Sequence, residues 1–269
     1  MLRAIVTGAC GKMGGRIISL IQATDGIELA GAVERPEHPA AGKDAGENLG
    51  LGRIGVNVSS DLNICIAHGD VVIDFTSHEA SLRNMEIAAT HNRAMVIGST
   101  GFTTEELKKA SEFALNVSCV LSPNMSVGVN VMFKVLSYVA GILGDDYDVE
   151  IMEAHHHLKK DAPSGTAMKM AEVVAASLGR DLDKVGVFNR HGIIGERTRT
   201  EIGVQTLRAG DIVGDHMVMF AGSGERLEFI HRAHSRDNFA QGAIRAAKWV
   251  VGKKPGLYDM QDVLGLRET

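Results

Sequence analysis

One short stretch of the chain, Glu153–Thr166, concentrates side chains that can transfer protons or bind anions. It reads Glu-Ala-His-His-His-Leu-Lys-Lys-Asp-Ala-Pro-Ser-Gly-Thr, with three histidines, two lysines and two carboxylates. Unpaired charges are costly to bury, so a hydrophobic core avoids such a cluster. Histidines are acids and bases near neutral pH, and a lysine can donate a proton or supply a compact positive charge. The stretch therefore predicts a site where a small anionic substrate is held and protonated.

The end of this stretch has the residues of a helix start that can bind an anion. Ser164 follows Pro163 and is a typical N-cap residue, because its side-chain oxygen can accept a hydrogen bond from the first turn. The N–H groups of Gly165 and Thr166 would then lie at the open helix end, where a carboxylate or phosphate binds. Glycine lets the anion approach closely, and Lys159 can add a positive charge.

Two other interpretations of the histidines stay open on this evidence. They could lie on a solvated edge without a role, or a His-x-His pair could bind zinc or iron with Glu153 and Asp161. Two adjacent lysines would oppose a cation, so we expect no metal. If a strand continued through the histidines, His155 and His157 would share one face and His156 the other.

A second motif, Gly8-Ala-Cys-Gly-Lys-Met-Gly14, lies near the start of the chain. It follows a β-prone run, Leu2–Thr7, and precedes a helical pattern with one apolar face. A second strand, Ile27–Val33, ends at Glu34, at the distance where an acid can accept hydrogen bonds from a ribose diol. The spacing predicts a dinucleotide site, with phosphates at the helix start. The pattern GxxGxxG departs from the commoner GxGxxG, and a structural tight turn is the alternative.

Arg35 directly follows Glu34 and bears on the choice of cofactor. An acid at this point favours a free 2′-hydroxyl, whereas an arginine can pair with a 2′-phosphate and stack on adenine. Side by side, the two residues predict that the chain accepts both NADH and NADPH. The alternative is that Arg35 is a solvated loop charge.

Three further apolar runs, Asp70–Phe75, Ala94–Ile97 and Ser118–Leu121, extend the predicted sheet. The first has the composition of a strand buried on both faces in a parallel sheet. Ligands bind beyond the carboxyl ends of parallel strands, so the turn Gly98-Ser-Thr-Gly-Phe102 is a candidate contact for the nicotinamide side. Residues 36–60 predict a loop-rich crossover.

The pattern changes near residue 126, from alternating strands and helices to strands in sequence. This change predicts a domain boundary. The elements predicted beyond it are an apolar helix over Val127–Leu143, a half-exposed strand over Asp148–Ala154, a helix after Ser164, a series of antiparallel strands from Ile193 to Ile230, and a final helix over Arg236–Val251.

Composition limits the class of protein. The chain has 269 residues, 45% hydrophobic and 23% charged, which is typical of a globular protein with room for two domains. A net charge of −5 argues against a nucleic-acid partner, which would need a basic surface. Three widely spaced cysteines suit a reducing compartment. No apolar run approaches the roughly 18 residues of a membrane span, and none of signal-peptide type precedes Gly8, so we expect a cytoplasmic protein without a membrane partner.

Glu153–Thr166 resembles the signature E-x-H-H-x-x-K-x-D-x-P-S-G-T of the 4-hydroxy-tetrahydrodipicolinate (dihydrodipicolinate) reductase family of bacterial and plant lysine biosynthesis. The resemblance covers nearly the whole chain. It includes Gly8–Gly14, Gly98–Phe102, Ser122–Met125, Arg208–His216 and the helix from Arg236. Ser99, where many members have Thr, and Leu158, where some have His, are small departures that bear on fine cofactor preference.

The resemblance implies a fold and a partner. The fold is α/β, with a Rossmann-like parallel-sheet nucleotide domain formed by residues 1–126 and 236–269. An inserted α+β domain, residues 127–235, is implied to have a mixed, largely antiparallel sheet, to bind the substrate and to build a homotetramer.

The resemblance also implies residue roles and a reaction. His155 matches the proton donor/acceptor, Lys159 the proton donor, and His156, Gly165 and Thr166 the groups that hold the substrate carboxylates. The implied cofactor contacts are Gly8, Ala9, Cys10, Gly11, Lys12, Met13, Glu34, Arg35, Gly98, Ser99, Thr100, Ser122, Pro123, Asn124 and Met125. The implied reaction is NAD(P)H-dependent reduction of a cyclic imine dicarboxylate to tetrahydrodipicolinate. A metal-dependent hydrolase and a redox-sensing nucleotide-binding regulator are the rival hypotheses, and the second leaves the lysine–histidine cluster unexplained.

Overall fold

Both ends of the chain contribute to one unit of the fold, and the segment between them forms a second. In the computed structural model, which describes residues 1–267, unit 1 is Met1–Val127 with the chain from Arg236 onward, and unit 2 is Gly128–Ser235. Val127, which the sequence-based ranges place in the inserted domain, belongs to unit 1, because its side chain packs against the core of that unit. Residues 268 and 269 of the predicted nucleotide domain lie outside the described residues. The roles predicted for the two domains stay predictions.

The first part of unit 1 alternates strands and helices, as its sequence predicts. The strands are short runs rich in valine and isoleucine, which suit a buried sheet. The elements are β1 (Leu2–Thr7), α1 (Lys12–Gln22), β2 (Ile27–Val33), α2 (Ala45–Asn48), β3 (Val58–Ser59), α3 (Leu62–Cys65), β4 (Val71–Asp74), α4 (His78–Thr90), β5 (Ala94–Ile97), α5 (Thr104–Phe113) and β6 (Ser118–Leu121).

Unit 2 has fewer helices and longer strands. Its elements are α6 (Val127–Leu143, which begins at the last residue of the first segment of unit 1), β7 (Asp148–His155), α7 (Gly165–Ser177), α8 (Leu182–Val185), β8 (Gly186–Val187), β9 (Ile202–Arg208), β10 (Gly214–Ala221) and β11 (Arg226–Ala233). The chain then returns to unit 1 with α9 (Asp237–Val250), β12 (Gly256–Tyr258) and α10 (Met260–Val263).

The unit 1 sheet is parallel and is covered on both faces. Its seven strands have the order β12-β6-β5-β4-β1-β2-β3. Neighbouring side chains of a strand point to opposite faces, so Val6 packs in one core with Ile17 of α1 and Ala243 of α9, whereas Ile5 packs in another with Met85 of α4. Burial on both sides explains why these strands are apolar throughout. The predicted Rossmann-like parallel sheet is confirmed.

The unit 2 sheet is mixed and is covered by helices on one face. Its order is β11-β10-β7-β9-β8; β10 pairs antiparallel with β7 and β11, and β9 pairs parallel with β7 and β8. In β7 the side chains are alternately buried and more exposed. The buried ones, such as Ile151, pack against α6 and α7 in a third core. The predicted mixed sheet is confirmed.

The expected antiparallel series from Ile193 is wrong in its first part. Residues 188–201 have neither helix nor strand, and the strand that follows, β9, runs parallel to β7. The chain between β7 and β9 includes α7, and such a crossover returns the chain in the same direction. Alternating burial predicts that a strand exists, but not its direction.

Helix α6 bears on the expectation that the chain has no apolar run long enough to span a membrane. Within residues 1–267, one helical segment, Val127–Asp146, is long and apolar enough to cross a membrane, so the expectation that no such run exists was wrong. Val129, Phe133 and Leu136 of this helix are buried in the core of unit 2. Burial in this core accounts for part of the apolar composition, because 33% of the apolar stretch is buried, whereas Val131, Tyr138 and Ile142 are exposed.

Candidate functional site

The glycine-rich turn of unit 1 lies between β1 and α1. Gly8 has φ +67°, which favours glycine, and a Cβ there would lie 3.0 Å from Cγ2 of Thr76. A Cβ on Gly14 would overlap the carbonyl oxygen of Gly8. Helix α1 begins after Gly11, which offers no side-chain cap, so its first N–H groups have no side-chain partner from the N-cap. A backbone cradle without side chains fits a pyrophosphate.

Glu34 lies beside this turn. Its carboxylate accepts hydrogen bonds from the backbone N–H groups of Cys10, at 3.1 Å, and Arg35, at 3.1 Å. The acid is half-buried, whereas Arg35 is exposed. An acid held against a glycine turn at the end of β2 is positioned as a ribose-binding residue would be. The turn and Glu34 therefore fit a dinucleotide.

The two other predicted cofactor loops follow neighbouring strands of the same sheet. Residues 98–100 follow β5 and residues 122–125 follow β6, and Ser122 N–H donates to the Ile97 carbonyl at 3.1 Å. A Cβ on Gly98 would overlap the Phe75 ring, and one on Gly242 of α9 would overlap the Met125 carbonyl. Both loops are thus positioned by close packing at the carboxyl edge of the parallel sheet.

A buried carboxylate between the glycine-rich turn and the loop that contains Ser99 was missed from the sequence. Asp74, at the end of β4, is 0% exposed. Its hydrogen-bond donors are all neutral; they are Thr7 Oγ1 (2.8 Å), Thr76 N (3.0 Å) and Oγ1 (2.7 Å), Ser81 Oγ (2.7 Å), Asn84 Nδ2 (2.6 Å) and Ser99 Oγ (3.3 Å). Asp74 therefore ties the residue before Gly8 to the loop that contains Ser99. The sequence does contain a signal for it, because Asp74 is an acid at the end of an otherwise apolar strand.

The histidine stretch of unit 2 begins on a strand and then leaves it. Strand β7 ends at His155, and the N–H groups of His156 and His157 donate to the Ile212 and Gly210 carbonyls at 2.8 and 3.2 Å. The condition for the three histidines to alternate between two faces is therefore not met. Among residues 1–267 there is no group of three or more His, Cys, Asp or Glu side chains arranged to hold a metal ion.

Glu153 is the buried carboxylate of this site. Its side chain is 0% exposed and accepts hydrogen bonds from His155 Nδ1 at 2.6 Å, from Arg208 at 2.8 and 2.9 Å, and from Ser164 N at 2.9 Å. Burial alone would raise the pKa of Glu153, but the hydrogen bonds from His155, Arg208 and Ser164 N–H outweigh it and hold that pKa at about 2. The carboxylate stays ionised at neutral pH.

The Ser164 turn has the predicted N-cap geometry. Ser164 Oγ accepts from Ala167 N–H at 3.2 Å, and α7 begins at Gly165. A Cβ on Gly165 would meet nothing within 4 Å, so the space beside the helix start is open. This agrees with an anion site at the first turn of α7.

Lys159 lies in the loop between β7 and α7. Its Nζ is 2.8 and 2.9 Å from the carboxylate oxygens of Asp161, and its side chain is 21% exposed. Arg208 donates to the Asp161 carbonyl at 2.6 Å and to Glu153. Glu153, Arg208 and Asp161 thus connect the surroundings of His155 to those of Lys159.

His216 of β10 is a second residue that the sequence did not reveal. It is 5% exposed, its ring packs edge-on against His155 with 5.2 Å between centroids, and its Nε2 is 3.2 Å from Ser164 Oγ. Burial, together with the nearby His155 and His231, lowers the pKa of His216 to about 3, so the ring is neutral. Its place in the Arg208–His216 motif was visible, but its contact with Ser164 depends on strand pairing.

The geometry defines a class of protein. A glycine cradle with a ribose-type acid in unit 1, and a buried His–Glu pair beside a lysine and an anion turn in unit 2, are the parts of a two-domain NAD(P)-dependent oxidoreductase.

Comparison with known proteins identifies the family. The profile described as "Dihydrodipicolinate reductase, N-terminus" matches residues 2–125, and the one described as "Dihydrodipicolinate reductase, C-terminus" matches residues 128–264. The chain belongs to the dihydrodipicolinate reductase family. It is 68% identical over 267 residues to the 4-hydroxy-tetrahydrodipicolinate reductase of Syntrophus aciditrophicus (strain SB), which covers 99% of this chain and 100% of that protein. It is 60% identical, with the same coverage, to the one of Citrifermentans bemidjiense.

A solved structure agrees with this assignment. The dipicolinate-bound dihydrodipicolinate reductase from Paenisporosarcina sp. TG-14 is similar with a TM-score of 0.78 and 25% identity, over 97% of this chain and 98% of that one. The predictions of the family, of an NAD(P)H-dependent reductase of lysine biosynthesis and of its cofactor type are confirmed. The individual site residues stay predictions.

Proposed function

We propose that this chain reduces 4-hydroxy-tetrahydrodipicolinate (dihydrodipicolinate) to tetrahydrodipicolinate with NADH or NADPH, in the diaminopimelate route of lysine biosynthesis. One observation carries the proposal. Residues 153–166 fold into a connected group in which a histidine, a lysine and an anion-binding turn are linked through Glu153, Arg208 and Asp161. Such a group suits a small dicarboxylate that must be held and protonated.

Unit 1 would hold the cofactor. The turn of residues 8–13 would bind the pyrophosphate, Glu34 the ribose diol and Arg35 a 2′-phosphate, while residues 98–100 and 122–125 would contact the nicotinamide side. When bound, NADH or NADPH supplies the hydride. The pairing of a half-buried acid with an exposed arginine supports the use of both cofactors.

Unit 2 would hold the substrate. The N–H end of α7 at Gly165 and Thr166 would bind one carboxylate, and His156 would contact the other. The open space beside Gly165 supports this role, because an anion can approach the helix start there. The solved relative that carries dipicolinate, a cyclic dicarboxylate, is in keeping with this substrate class.

Lys159 would donate the proton that accompanies reduction, and His155 would act as a proton donor/acceptor. In the structure Lys159 Nζ is held by Asp161. Burial alone would raise the pKa of Asp161, but the hydrogen bonds from Lys159 and from a backbone N–H, together with the positive charges of Lys159 and Arg208, lower it. Asp161 therefore stays a carboxylate, and its two oxygens hold the Lys159 ammonium in place by hydrogen bonds. The fixed cations would also stabilise negative charge that develops during reduction.

We further propose a soluble, cytoplasmic homotetramer assembled through unit 2. The sheet face without helices has exposed apolar side chains, Met152 of β7 (39% exposed), Leu207 of β9 (47%) and Ile230 of β11 (49%). Apolar patches of this kind mark contacts between subunits. Sedimentation of the purified chain tests the assembly, and a monomer at micromolar concentration would contradict it.

The direct test of the function is oxidation of NADH and of NADPH by the purified chain with freshly generated substrate. We expect turnover with both cofactors. Cofactor deuterated at the transferring position should leave one deuterium in the product, because the hydride comes from the nicotinamide. Absence of oxidation with either cofactor, or a product without deuterium, would contradict the proposal.

A further inference from the structure

Glu153 divides its two oxygens between two parts of the unit 2 site. Oε2 accepts from His155 Nδ1 at 2.6 Å and from Arg208 at 2.8 Å. Oε1 accepts from Ser164 N–H at 2.9 Å, from Arg208 at 2.9 Å and from Thr206 Oγ1 at 3.2 Å. One rigid carboxylate thus contacts both the proton-handling histidine and the turn that begins α7.

The Oε2 contact determines which nitrogen of His155 is available. An ionised carboxylate can only accept, so His155 Nδ1 must carry a proton toward Glu153. The remaining nitrogen, Nε2, is then the one that can exchange a proton with a ligand. Gly214 of β10 leaves room for it, because a Cβ there would lie 3.0 Å from Nε2.

The Oε1 contact determines the position of the turn. Three contacts hold Ser164. Its N–H donates to Glu153, its hydroxyl oxygen accepts from Ala167 N–H, and the same oxygen lies 3.2 Å from His216 Nε2. These three contacts leave Ser164 little freedom, and Gly165 and Thr166 follow it directly. A shift of Glu153 would therefore move the anion turn and the histidine together.

We propose that Glu153 is a positioning residue that fixes the tautomer and orientation of His155 and, through Ser164, the register of the substrate turn. The inference rests on the proposed function, because it assigns His155 and the turn to one substrate. The competing interpretation is that Glu153 serves stability alone, as the buried partner of Arg208. Breaking a buried ion pair is costly wherever it lies, so loss of stability does not separate the two interpretations.

The test compares Glu153→Gln with Glu150→Gln. Glu150 lies on the same strand, and Arg190 and Arg197 donate to it as Arg208 does to Glu153. It points to the opposite sheet face, and within residues 1–267 it has no hydrogen bond to a histidine. For Glu153→Gln we expect kcat to fall by about 10- to 100-fold, as for the loss of other residues that orient a functional histidine. The KM for substrate should rise, NADH affinity should stay unchanged, and Glu150→Gln should keep the wild-type kcat.

If Glu153 served stability alone, its replacement would leave the pH profile of kcat/KM unchanged. The profile therefore distinguishes the two interpretations. The charged and titratable groups beside His155 are Glu153 of its own strand, Arg208 of β9, which is its register partner, and His216 of β10. Lys159 and His231 act in turn on His216. Glu153 places its negative charge 2.6 Å from Nδ1 of this ring. Replacing it with neutral glutamine should therefore shift the profile to lower pH.

The outcomes separate the inference from the proposed function. Wild-type kcat and pH profile in a folded Glu153→Gln variant would overturn the inference, and so would an equal loss of kcat in Glu150→Gln. An inactive wild-type chain would overturn the proposed function instead. If Glu153→Gln does not fold, nitrogen-15 NMR of the wild-type chain decides: the neutral His155 ring must carry its proton on Nδ1, and a proton on Nε2 overturns the inference.

Discussion

The two glycine-containing turns proposed as binding sites each begin a helix, one in each unit, and they are built in opposite ways. In unit 1 the positions where side chains would lie are filled by backbone, since a Cβ on Gly14 would overlap the Gly8 carbonyl. In unit 2 a Cβ on Gly165 would meet no atom of the described residues within 4 Å, apart from its chain neighbours and its own helix backbone. The first turn has its shape from its own packing. The second turn is held in place by contacts from outside it, through Ser164.

The buried carboxylates beside the two turns also differ, in the kind of hydrogen-bond donor that each one binds. Asp74 of unit 1 is surrounded by hydroxyl, amide and backbone donors. Glu153 of unit 2 is surrounded by Arg208, His155 and a backbone N–H. Neutral donors hold loops in position without coupling them to a proton, whereas a titratable partner couples the carboxylate to proton transfer. The comparison suggests that unit 1 is built to bind and unit 2 to do acid–base chemistry.

Among the variants that test this comparison, Gly14→Ala should have the largest effect on cofactor binding. Alanine favours a helix by about 1 kcal/mol over glycine, but overlap with a backbone oxygen forces the turn to move, at a cost of about 1–3 kcal/mol. We expect lower thermal stability and at least a tenfold weaker NADH affinity, measured by fluorescence titration. A normal NADH affinity would show that the unit 1 turn is not shaped by close packing.

Gly165→Ala is the matched variant in the second turn. No protein atom blocks the new methyl group, so the free energy of unfolding should change by less than about 0.5 kcal/mol. NADH affinity should be unchanged, and the KM for substrate should rise because the methyl group occupies the proposed anion site. An unchanged KM would place the substrate carboxylate elsewhere.

Asp74→Asn should affect binding more than proton transfer. One amide cannot accept all the hydrogen bonds that reach Asp74, and each buried donor left unsatisfied costs about 1–3 kcal/mol. We expect weaker affinity for NADH and NADPH alike, with an unaltered pH profile of kcat. Asp70→Asn is the control. Asp70 lies directly before the first residue of β4, is partly exposed and forms an ion pair with Arg3. A shifted pH profile in Asp74→Asn would break the contrast between the two carboxylates.

The smallest effect is expected for Arg35→Ala, which should weaken NADPH selectively. Arg35 is exposed, so it contributes through the 2′-phosphate rather than through packing. Glu34→Ala should instead weaken NADH, since it removes the acceptor for the ribose diol. Equal losses for both cofactors in the Arg35 variant would contradict the 2′-phosphate interpretation.

Local patterns predicted most of unit 1 and much of unit 2. β5, β6 and α6 have the bounds expected from their apolar runs, and Ser164 caps α7 as its type and position indicate. These features depend on residues adjacent in the chain. The direction of β9 was not predictable in the same way, because it depends on a crossover rather than on alternation.

The supporting residues of the site were the least predictable. Glu153 lay within the recognised stretch, but its contacts with Arg208 and Thr206 require β7 and β9 to pair in register. The His216–Ser164 contact likewise requires β10 to lie beside β7. Asp74 acquires its donors from residues as far apart as Thr7 and Ser99. Long-range pairing, which a single sequence does not display, decides such roles.

The central claim is that unit 2 supplies the proton through Lys159, and the kcat of Lys159→Ala tests it most directly. Lys169→Ala is the control, since Lys169 is half-exposed on α7 and forms an ion pair with the surface residue Glu172. With NADH affinity unchanged, we predict that kcat falls by about 10²- to 10⁴-fold in Lys159→Ala and stays at the wild-type value in Lys169→Ala. A folded Lys159→Ala variant with wild-type kcat would contradict the account.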